Sequence, residues 1–402
     1  MKGLKTFLYR VFQKVMYLAM FVLPWREPKI FDGDDSMGQL SNEIKSQNIS
    51  KVLVVTDKGL MALNLLDNLF AKLKEKSIEY FIFDEVVPNP TIANIEAALA
   101  IYKEHGCQGI IAFGGGSPMD CGKTVGARVV NPNKPVSKMK GLLKVGRKLP
   151  PFFAIPTTSG TGSETTLAAV VTDEVTHRKY AINDTHLIPH FAVLDPSLTL
   201  KLPKHITSTT GMDALCHAVE AYIGSANTKK TKQAAIDAVK LINQWLFVAY
   251  EDGSNLEARQ HMQHASYLAG VAFTRAYVGC VHAMAHQLGG VYHVPHGLAN
   301  AVIMPYVFRA YGKKAYKKLG ELADIINIST TSDTTEIKAK KFIHWIETMN
   351  EKMAIPNKFK EIKEEDIDNL SAYAQAEANP LYPTPKVLFK EDFAKIYHEL
   401  ME

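Results

Sequence analysis

The amino-acid sequence predicts an α/β half followed by an all-helical half. Three observations carry that prediction. From residue 50, short β-branched runs alternate with amphipathic stretches. After Pro203, strand patterns nearly vanish. Histidines then gather in the helical half.

Lys51 to Thr56 is a short β-branched run and reads as a buried strand. Leu60 to Lys74 reads as an amphipathic helix, Ile78 to Phe83 as a second strand and Ile92 to Glu104 as a second helix. Gly109 to Phe113 is a third strand. Strands alternating with helices of this length imply parallel βαβ units. Phe152–Ile155, Ala168–Thr172 and Ala192–Leu194 read as further strands, and Pro132 to Pro151, rich in Lys, Gly and Pro, as an exposed loop. Beyond Pro203 the segments Ile206–Ile223, Thr231–Tyr250, Leu256–Arg275, Gly297–Ala310, Tyr316–Ile325 and Ile337–Asn350 read as helices. The expected divisions are an N-terminal helical segment in 1–30, an α/β domain in 31–200 and a helical domain in 201–402. In such folds ligands sit at the carboxyl ends of parallel strands and often between domains.

Composition narrows the function classes. The 402 residues are 47% hydrophobic and 22% charged, which excludes a disordered chain, a collagen-like repeat and a small disulfide scaffold. Forty-six Lys and Arg against 41 Asp and Glu leave a formal charge of +5. The basic residues are spread along the chain, so nucleic acid is not an expected partner. Cys107, Cys121, Cys216 and Cys280 form no CxxC pair, and a reducing, cytoplasmic compartment is expected.

The first thirty residues stand apart. Phe7, Leu8, Val11, Phe12, Val15, Met16, Ala19, Val22 and Leu23 recur at helical spacing, with Lys5, Arg10 and Lys14 between them. The uncharged run from Val15 to Trp25 falls short of the ~20 apolar residues a bilayer span needs. The leading reading is an amphipathic helix packed on its own protein or on a partner subunit. Peripheral membrane contact through residues 5–25 and a cleaved signal peptide are the alternatives. Pro24-Trp25-Arg26 stands where a signal's small-residue cleavage site belongs.

Two loops carry chemistry in the α/β half. Phe113-Gly-Gly-Gly-Ser-Pro-Met-Asp120 directly follows a strand, and Ser-Pro is a good helix start. A helix beginning there aims free N–H groups and its dipole at an anion such as a pyrophosphate. Tight strand-to-helix turns use glycine too. Pro156-Thr-Thr-Ser-Gly-Thr-Gly-Ser-Glu164 is a second strand-end loop, dense in hydroxyls, and two such loops on one sheet edge can grip a diphosphate. Asp57 ends the first strand, where a carboxylate accepts bonds from ribose hydroxyls and repels a 2′-phosphate, favouring NAD over NADP. A solvated turn residue is the plainer reading of Asp57.

Histidine clustering is the strongest signal. Of 14 histidines, six lie between His261 and His296. His282-Ala-Met-Ala-His286 puts two imidazoles on one helix face, and His293 and His296 follow in a Pro-containing loop. Asp213-Ala-Leu-Cys-His217 pairs a carboxylate with an imidazole on another helix. One carboxylate with several neutral imidazoles suits Fe(II), Zn(II) or a similar ion. Spacing alone does not select the ligands.

Gly114-Gly-Gly-Ser-Pro-Met-Asp120, Pro156-Thr-Thr-Ser-Gly-Thr-Gly-Ser-Glu164, Gly211-Met-Asp-Ala-Leu-Cys-His217 and His282-Ala-Met-Ala-His286-x9-His296-Gly297 occur in this order, after Val87-Pro-Asn-Pro-Thr91. Together they resemble the iron-containing (group III) alcohol dehydrogenase family, from roughly residue 30 to the C-terminus. The resemblance implies a dehydroquinate synthase-like fold: an α/β dinucleotide-binding domain, a helical metal domain and an active site in the cleft. It implies Asp213, His217, His282 and His296 as metal ligands and His286 as a proton-relaying residue near the nicotinamide. Gly115, Gly116, Ser117 and Asp120 match the pyrophosphate loop. Thr157, Thr158 and Thr161 match the second cofactor loop, and Asn89 and Lys179 match further cofactor contacts. His293 matches no family role. Arg275 and Tyr277 stand where many members carry Asn and a small residue, which bears on the substrate pocket.

The implied reaction is reversible: alcohol plus NAD+ gives aldehyde or ketone plus NADH, with Fe(II), or Zn(II), as Lewis acid. Relatives imply a homodimer or larger assembly. A lyase that cyclises a sugar-acid phosphate on a related fold, and a non-catalytic binding protein, are the rivals. The first calls for a set of Lys and Arg around the metal that is not evident in the sequence.

Overall fold

A computed structural model describes residues 2–33, 35–174 and 178–402. The chain divides into two compact units: Pro24–Lys201, and Leu202–Glu402 joined by the N-terminal segment up to Leu23. Helix α1 (Lys2–Ala19) belongs to the latter. The α/β unit runs β1 (Lys29–Asp32), α2 (Ser36–Ser46), β2 (Lys51–Val55), α3 (Lys58–Ala62), α4 (Asp67–Glu75), β3 (Glu79–Phe83), α5 (Ile92–Glu104), β4 (Gly109–Gly114), α6 (Gly116–Val130), β5 (Gly141–Leu142), β6 (Phe152–Pro156), β7 (Ala168–Asp173), β8 (Arg178–Asn183) and β9 (Phe191–Leu194).

Six strands form one parallel sheet in the order β1-β9-β6-β4-β2-β3. Both faces are covered, as the near-continuous apolar runs require. Leu53, Val55, Ile110, Ala112, Phe152 and Ala154 enter one core cluster. Their alternates Val52, Val54, Ile111, Phe113, Phe153 and Ile155 enter the other. That two-residue alternation fixes the register, since a one-residue slip would exchange the two faces. The chain winds outward in opposite directions from β2 and β4. The carboxyl ends of these strands flank the switch point at which open α/β sheets bind ligands.

Three expectations change. The helix expected over 60–74 is two pieces, α3 and α4, because Asn64 takes the left-handed conformation (φ 55), which Asn tolerates better than most residues. Ala168–Thr172 does form a strand, but it leaves the main sheet and pairs antiparallel with β8 in a small sheet with β5. Ala169 and Val171 are its buried side chains, the pattern of a strand covered on one face. The stretch Pro132–Pro151 is not simply an exposed loop. It holds a 3-10 turn, Val136–Met139, and buries Val136, Met139, Val145 and Leu149 in the core. These four are spaced too irregularly for periodicity to reveal them.

His190, just before β9, accepts the N–H of Phe152 at 3.2 Å through Nδ1. Burial, then Arg26 and Lys148, push its imidazole down to about 4. The unfolded chain binds that proton near the ordinary 6.5, so acidification between the two values favours unfolding. The expected loss is about 2 kcal/mol by pH ~5. Urea midpoints of the parent and His190→Asn across this range test it. The variant's profile should be flatter, and parallel profiles would refute the assignment.

The helical unit contains α7 (Lys204–Ile223), α8 (Lys229–Glu251), α9 (Leu256–Ala276), α10 (Cys280–Val291), α11 (His296–Tyr311), α12 (Lys313–Ile325), α13 (Thr335–Lys352), α14 (Ile367–Ala378) and α15 (Lys390–Leu400). Helix α7 packs against α8, α9 and α11 and is buried without a break from Gly211 to Ile223. A helix buried all round is a core helix, so its polar residues Asp213, His217 and Glu220 need partners. Gly297 lets α11 lie against α7: a Cβ there would sit 2.5 Å from the Thr209 carbonyl.

Helix α1 packs on its own protein, but not by its apolar side. Its buried residue is Gln13. Gln13 Nε2 donates to the carbonyls of Pro380 (2.9 Å) and Tyr382 (2.8 Å). Arg10 donates to Pro385 O (3.1 Å) and Tyr17 to Asn227 O (3.4 Å). Of the positions whose apolar periodicity predicts packing, Phe7, Leu8, Val11, Phe12, Val15 and Val22 face outward, while Met16 and Leu23 are half-buried.

Candidate active site

Two turns of α7 present Asp213, His217 and Glu220 at spacings of four and three, on one face. Helix α10 presents His282 and His286, and His296 is the first residue of α11. The structure brings Asp213, His217, His282 and His296 together, with one ligand atom from each within 4.8 Å of the others. Asp213 Oδ1 lies 3.9 Å from His282 Nε2 and 3.6 Å from His296 Nε2. The His217 and His282 rings stack at 4.5 Å. His293 joins no such cluster among the described residues.

These residues fit a divalent ion. His282 Nδ1 is 2.7 Å from Glu220 Oε2, which fixes the proton on Nδ1 and turns the Nε2 lone pair into the site. That Nε2 is buried with no hydrogen-bond partner. Burial, reinforced by the neighbouring imidazoles, holds His282 well below the ordinary histidine range, and a neutral ring is what a metal takes. Burial pushes the Asp213 carboxyl up, while His217 and the Asn300 amide pull it back. A cation at this point offsets the cost of the buried carboxylate. One carboxylate and three imidazoles suit Fe(II) or Zn(II).

Four supporting residues escaped the sequence reading. Glu220 accepts from the N–H groups of Gly279 (2.7 Å) and Val281 (2.8 Å) as well as from His282. Burial pushes its carboxyl up to about 7, and the backbone donors oppose this. Gly279 makes the approach feasible, since a Cβ there would lie 2.5 Å from Glu220 Oε1. Such a carboxylate orients a metal-binding histidine and raises its basicity. Its signal was its place on the α7 face, three residues after His217. Asn300, four residues after His296, donates to Asp213 Oδ1 at 2.6 Å. Glu377 and Tyr382 gave no signal, because Glu377 reaches His286 from 91 residues away and Tyr382 acts only through Glu377. Glu377 Oε1 is 2.6 Å from His286 Nδ1, and Gln287 and Tyr382 donate to the same carboxylate at 2.9 and 3.1 Å. His286 lies outside the four-residue cluster, with its ring 5.1 Å from that of His296 and its side chain 40% exposed.

In the α/β unit the cofactor candidates converge on the carboxyl ends of β2, β4 and β6. Gly115 caps α6, whose first-turn N–H groups open at the end of β4. A Cβ on Gly115 would lie 3.5 Å from Thr158 Oγ1, and one on Gly116 3.4 Å from Thr161 Cγ2. The two loops therefore face each other across a space the glycines leave open, a cradle suited to a diphosphate. Asn89 joins it, with its N–H bonded to Ser117 Oγ at 3.1 Å and its carbonyl to Thr172 Oγ1 at 3.1 Å. Lys179 lies opposite Thr172 on β8.

Three expected contacts have structural duties. Asp120 accepts from Ser163 Oγ (3.1 Å) and from the Val170 N–H (3.0 Å), tying α6 to the second loop. Buried Lys123 anchors the same loop through Ser163, Thr166 and Ala168. Thr157 is buried, and its N–H donates to Gly114 O. Asp57 caps α3 by accepting from the Leu60 N–H at 3.0 Å with Oδ1. Arg275 lies over the Phe21 ring at 4.6 Å, so it packs on the N-terminal segment. Tyr277 ends α9 at φ 68, a conformation unusual for a bulky residue.

Metal-dependent, nucleotide-linked dehydrogenases combine two such sites, and comparison with known proteins places the chain among them. The family model described as iron-containing alcohol dehydrogenase matches residues 27–196, and that described as the C-terminal part of the Fe-containing alcohol dehydrogenase family matches 207–401. Alcohol dehydrogenase 4 of Saccharomyces cerevisiae is 37% identical, covering 93% of this chain and 97% of its own. The NAD-dependent methanol dehydrogenase of Bacillus methanolicus is 34% identical, covering 94% and 99%. The crystal structure of a 1,3-propanediol oxidoreductase matches with a TM-score of 0.91 at 36% identity, covering 94% of this chain and all of that one. The chain belongs to the iron-containing alcohol dehydrogenase family, and its activity is the oxidation of alcohols to aldehydes.

Proposed function

We propose that the protein catalyses the reversible, NAD-linked oxidation of a short primary alcohol or diol, with divalent iron held by Asp213, His217, His282 and His296. The convergence of these four ligand atoms within 4.8 Å carries the reading. When bound, the ion supplies a Lewis acid at the substrate oxygen and NAD supplies the hydride acceptor. Asp213 contributes the negative charge that keeps a divalent ion in place, and Glu220 holds His282 in the ligating tautomer. His286, with Nδ1 held by Glu377, receives the alcohol's proton and passes it to solvent. Gly115, Gly116, Ser117, Thr158 and Thr161 line the diphosphate cradle, and Asn89 and Lys179 flank it. The methanol and propanediol substrates named for relatives support a short alcohol.

The enzyme is further proposed to work in a reducing cytoplasm as a homodimer or larger assembly. Its four free, buried cysteines agree with the first part.

Anaerobic reconstitution with Fe(II) or Zn(II), followed by NAD- and NADP-linked assays on alcohols and aldehydes, tests the reading. NAD should be preferred over NADP, because Asp57, two residues beyond β2, carries a carboxylate that repels a 2′-phosphate. Asp57→Gly should narrow the gap. Catalytic efficiency with NADP equal to or above that with NAD in the parent would overturn the Asp57 argument.

A further inference from the structure

The catalytic reading leaves α1 unexplained, since the family match begins at residue 27. The helix is mounted polar side inward. On its outer side Leu4, Phe7, Leu8, Val11, Val15 and Leu18 are each between 46% and 67% exposed. At roughly 100 Å² apiece they form a stripe of about 600 Å², the size at which exposed apolar surface marks an interaction site. At 100° per residue, Lys5 falls about 110° to one side of the stripe's centre and Lys14 about 70° to the other. Both lysines are exposed. The chain contains no carboxylate before Glu27.

Hydrogen bonds fix this orientation. Gln13, Arg10 and Tyr17 are spent on carbonyls of 380–385 and Asn227, and Lys2 pairs with Glu391 at 2.9 Å. Turning the stripe inward would break all of these. An ordinary surface helix puts its apolar stripe on the core; this one presents it to whatever lies outside.

We propose that α1 seats the enzyme on an anionic lipid bilayer. The stripe enters the boundary between head groups and acyl chains, and Lys5 and Lys14 meet the lipid phosphates. A strongly amphipathic helix with lysines flanking its apolar face has the required form. No single described helix is long and apolar enough to cross a membrane, so the attachment is peripheral. A second copy of the chain is the weaker occupant. A two-fold contact through the stripe sets the same surface against itself and brings lysines towards lysines, with no carboxylate on the helix to pair them.

Sedimentation of the full-length enzyme with vesicles tests this, comparing phosphatidylglycerol with phosphatidylcholine. Two lysines at about fivefold each predict a preference of about 25-fold for the anionic lipid, lost at high salt. Val11→Asp combined with Val15→Asp should lower binding about tenfold or more. Its alcohol oxidation in solution, unchanged, shows that the fold is intact. Lys5→Glu combined with Lys14→Glu keeps the stripe and should erase the lipid preference. Equal binding to both lipids, or undiminished binding by the valine variant, overturns the proposal. So does a parent that stays in solution with both lipids while its mass, by light scattering, halves in the valine variant; a second copy would then be the occupant.

Discussion

Replacing His282 by Ala is expected to abolish tight metal binding and alcohol oxidation together. His282 is the most completely prepared of the four candidate ligands. Its ring is buried, neutral and held through Nδ1 by Glu220 at 2.7 Å, with Nε2 otherwise unpartnered. The substitution removes one of three imidazoles and leaves Glu220 buried without the ring it orients. The remaining groups, Asp213, His217 and His296, offer a carboxylate and two nitrogens, and His296 is the most exposed of the set, its side chain 40% accessible. Glu220→Gln supplies the graded comparison. It keeps every ligand but weakens the tether, and outer partners of this kind are typically worth about 10–100-fold in metal affinity. Elemental analysis after dialysis, with circular dichroism to check folding, reads both variants. One full metal equivalent in folded His282→Ala protein would show the ligand assignment to be wrong.

The parts of this site that sequence reveals are those written into local spacing. Asp213 with His217, and His282 with His286, declare themselves as pairs one helical turn apart. Glu220 and Asn300 carried the same kind of signal, at three residues from His217 and four from His296, but a lone Glu or Asn on a helix is usually solvated or capping. What separates them is burial, which is a property of the packed helices rather than of α7 or α11 alone. Glu377 and Tyr382 lie beyond local pattern altogether, because the contact of Glu377 with His286, and of Tyr382 with Glu377, depends on how the end of α14 and the chain after it fold back.

The fold divides in the same way. The doubly covered strands β2, β4 and β6 are legible because both faces are apolar. β7 is legible as a strand but not as a member of a separate sheet, since pairing partners leave no mark on a six-residue run. Helix α1 shows the limit of amphipathicity. The period locates the helix and its apolar face correctly, yet says nothing about which face meets the protein. That was decided by carbonyl groups at 380–385, which Gln13 and Arg10 satisfy.

His286→Gln is expected to leave metal content and fold intact while lowering turnover about 10²–10⁴-fold, the usual worth of a positioned acid–base group. The geometry separates this residue from the ligands. It sits one turn beyond His282 on α10, outside the cluster of four, with Nδ1 taken by Glu377 at 2.6 Å and its side chain open to solvent. A proton released by the alcohol has to leave the site, and an imidazole can both accept it and give it up. Gln keeps the size and the hydrogen bond to Glu377 but cannot carry the proton. Glu377→Gln keeps the imidazole and loses the charged tether, so its loss should be smaller. Turnover measured from acid to alkaline pH distinguishes a relay from a structural role. A relay variant loses the parent's titrating limb, whereas a packing defect lowers the whole profile without changing its shape. Turnover in His286→Gln that matches the parent throughout would remove His286 from the mechanism.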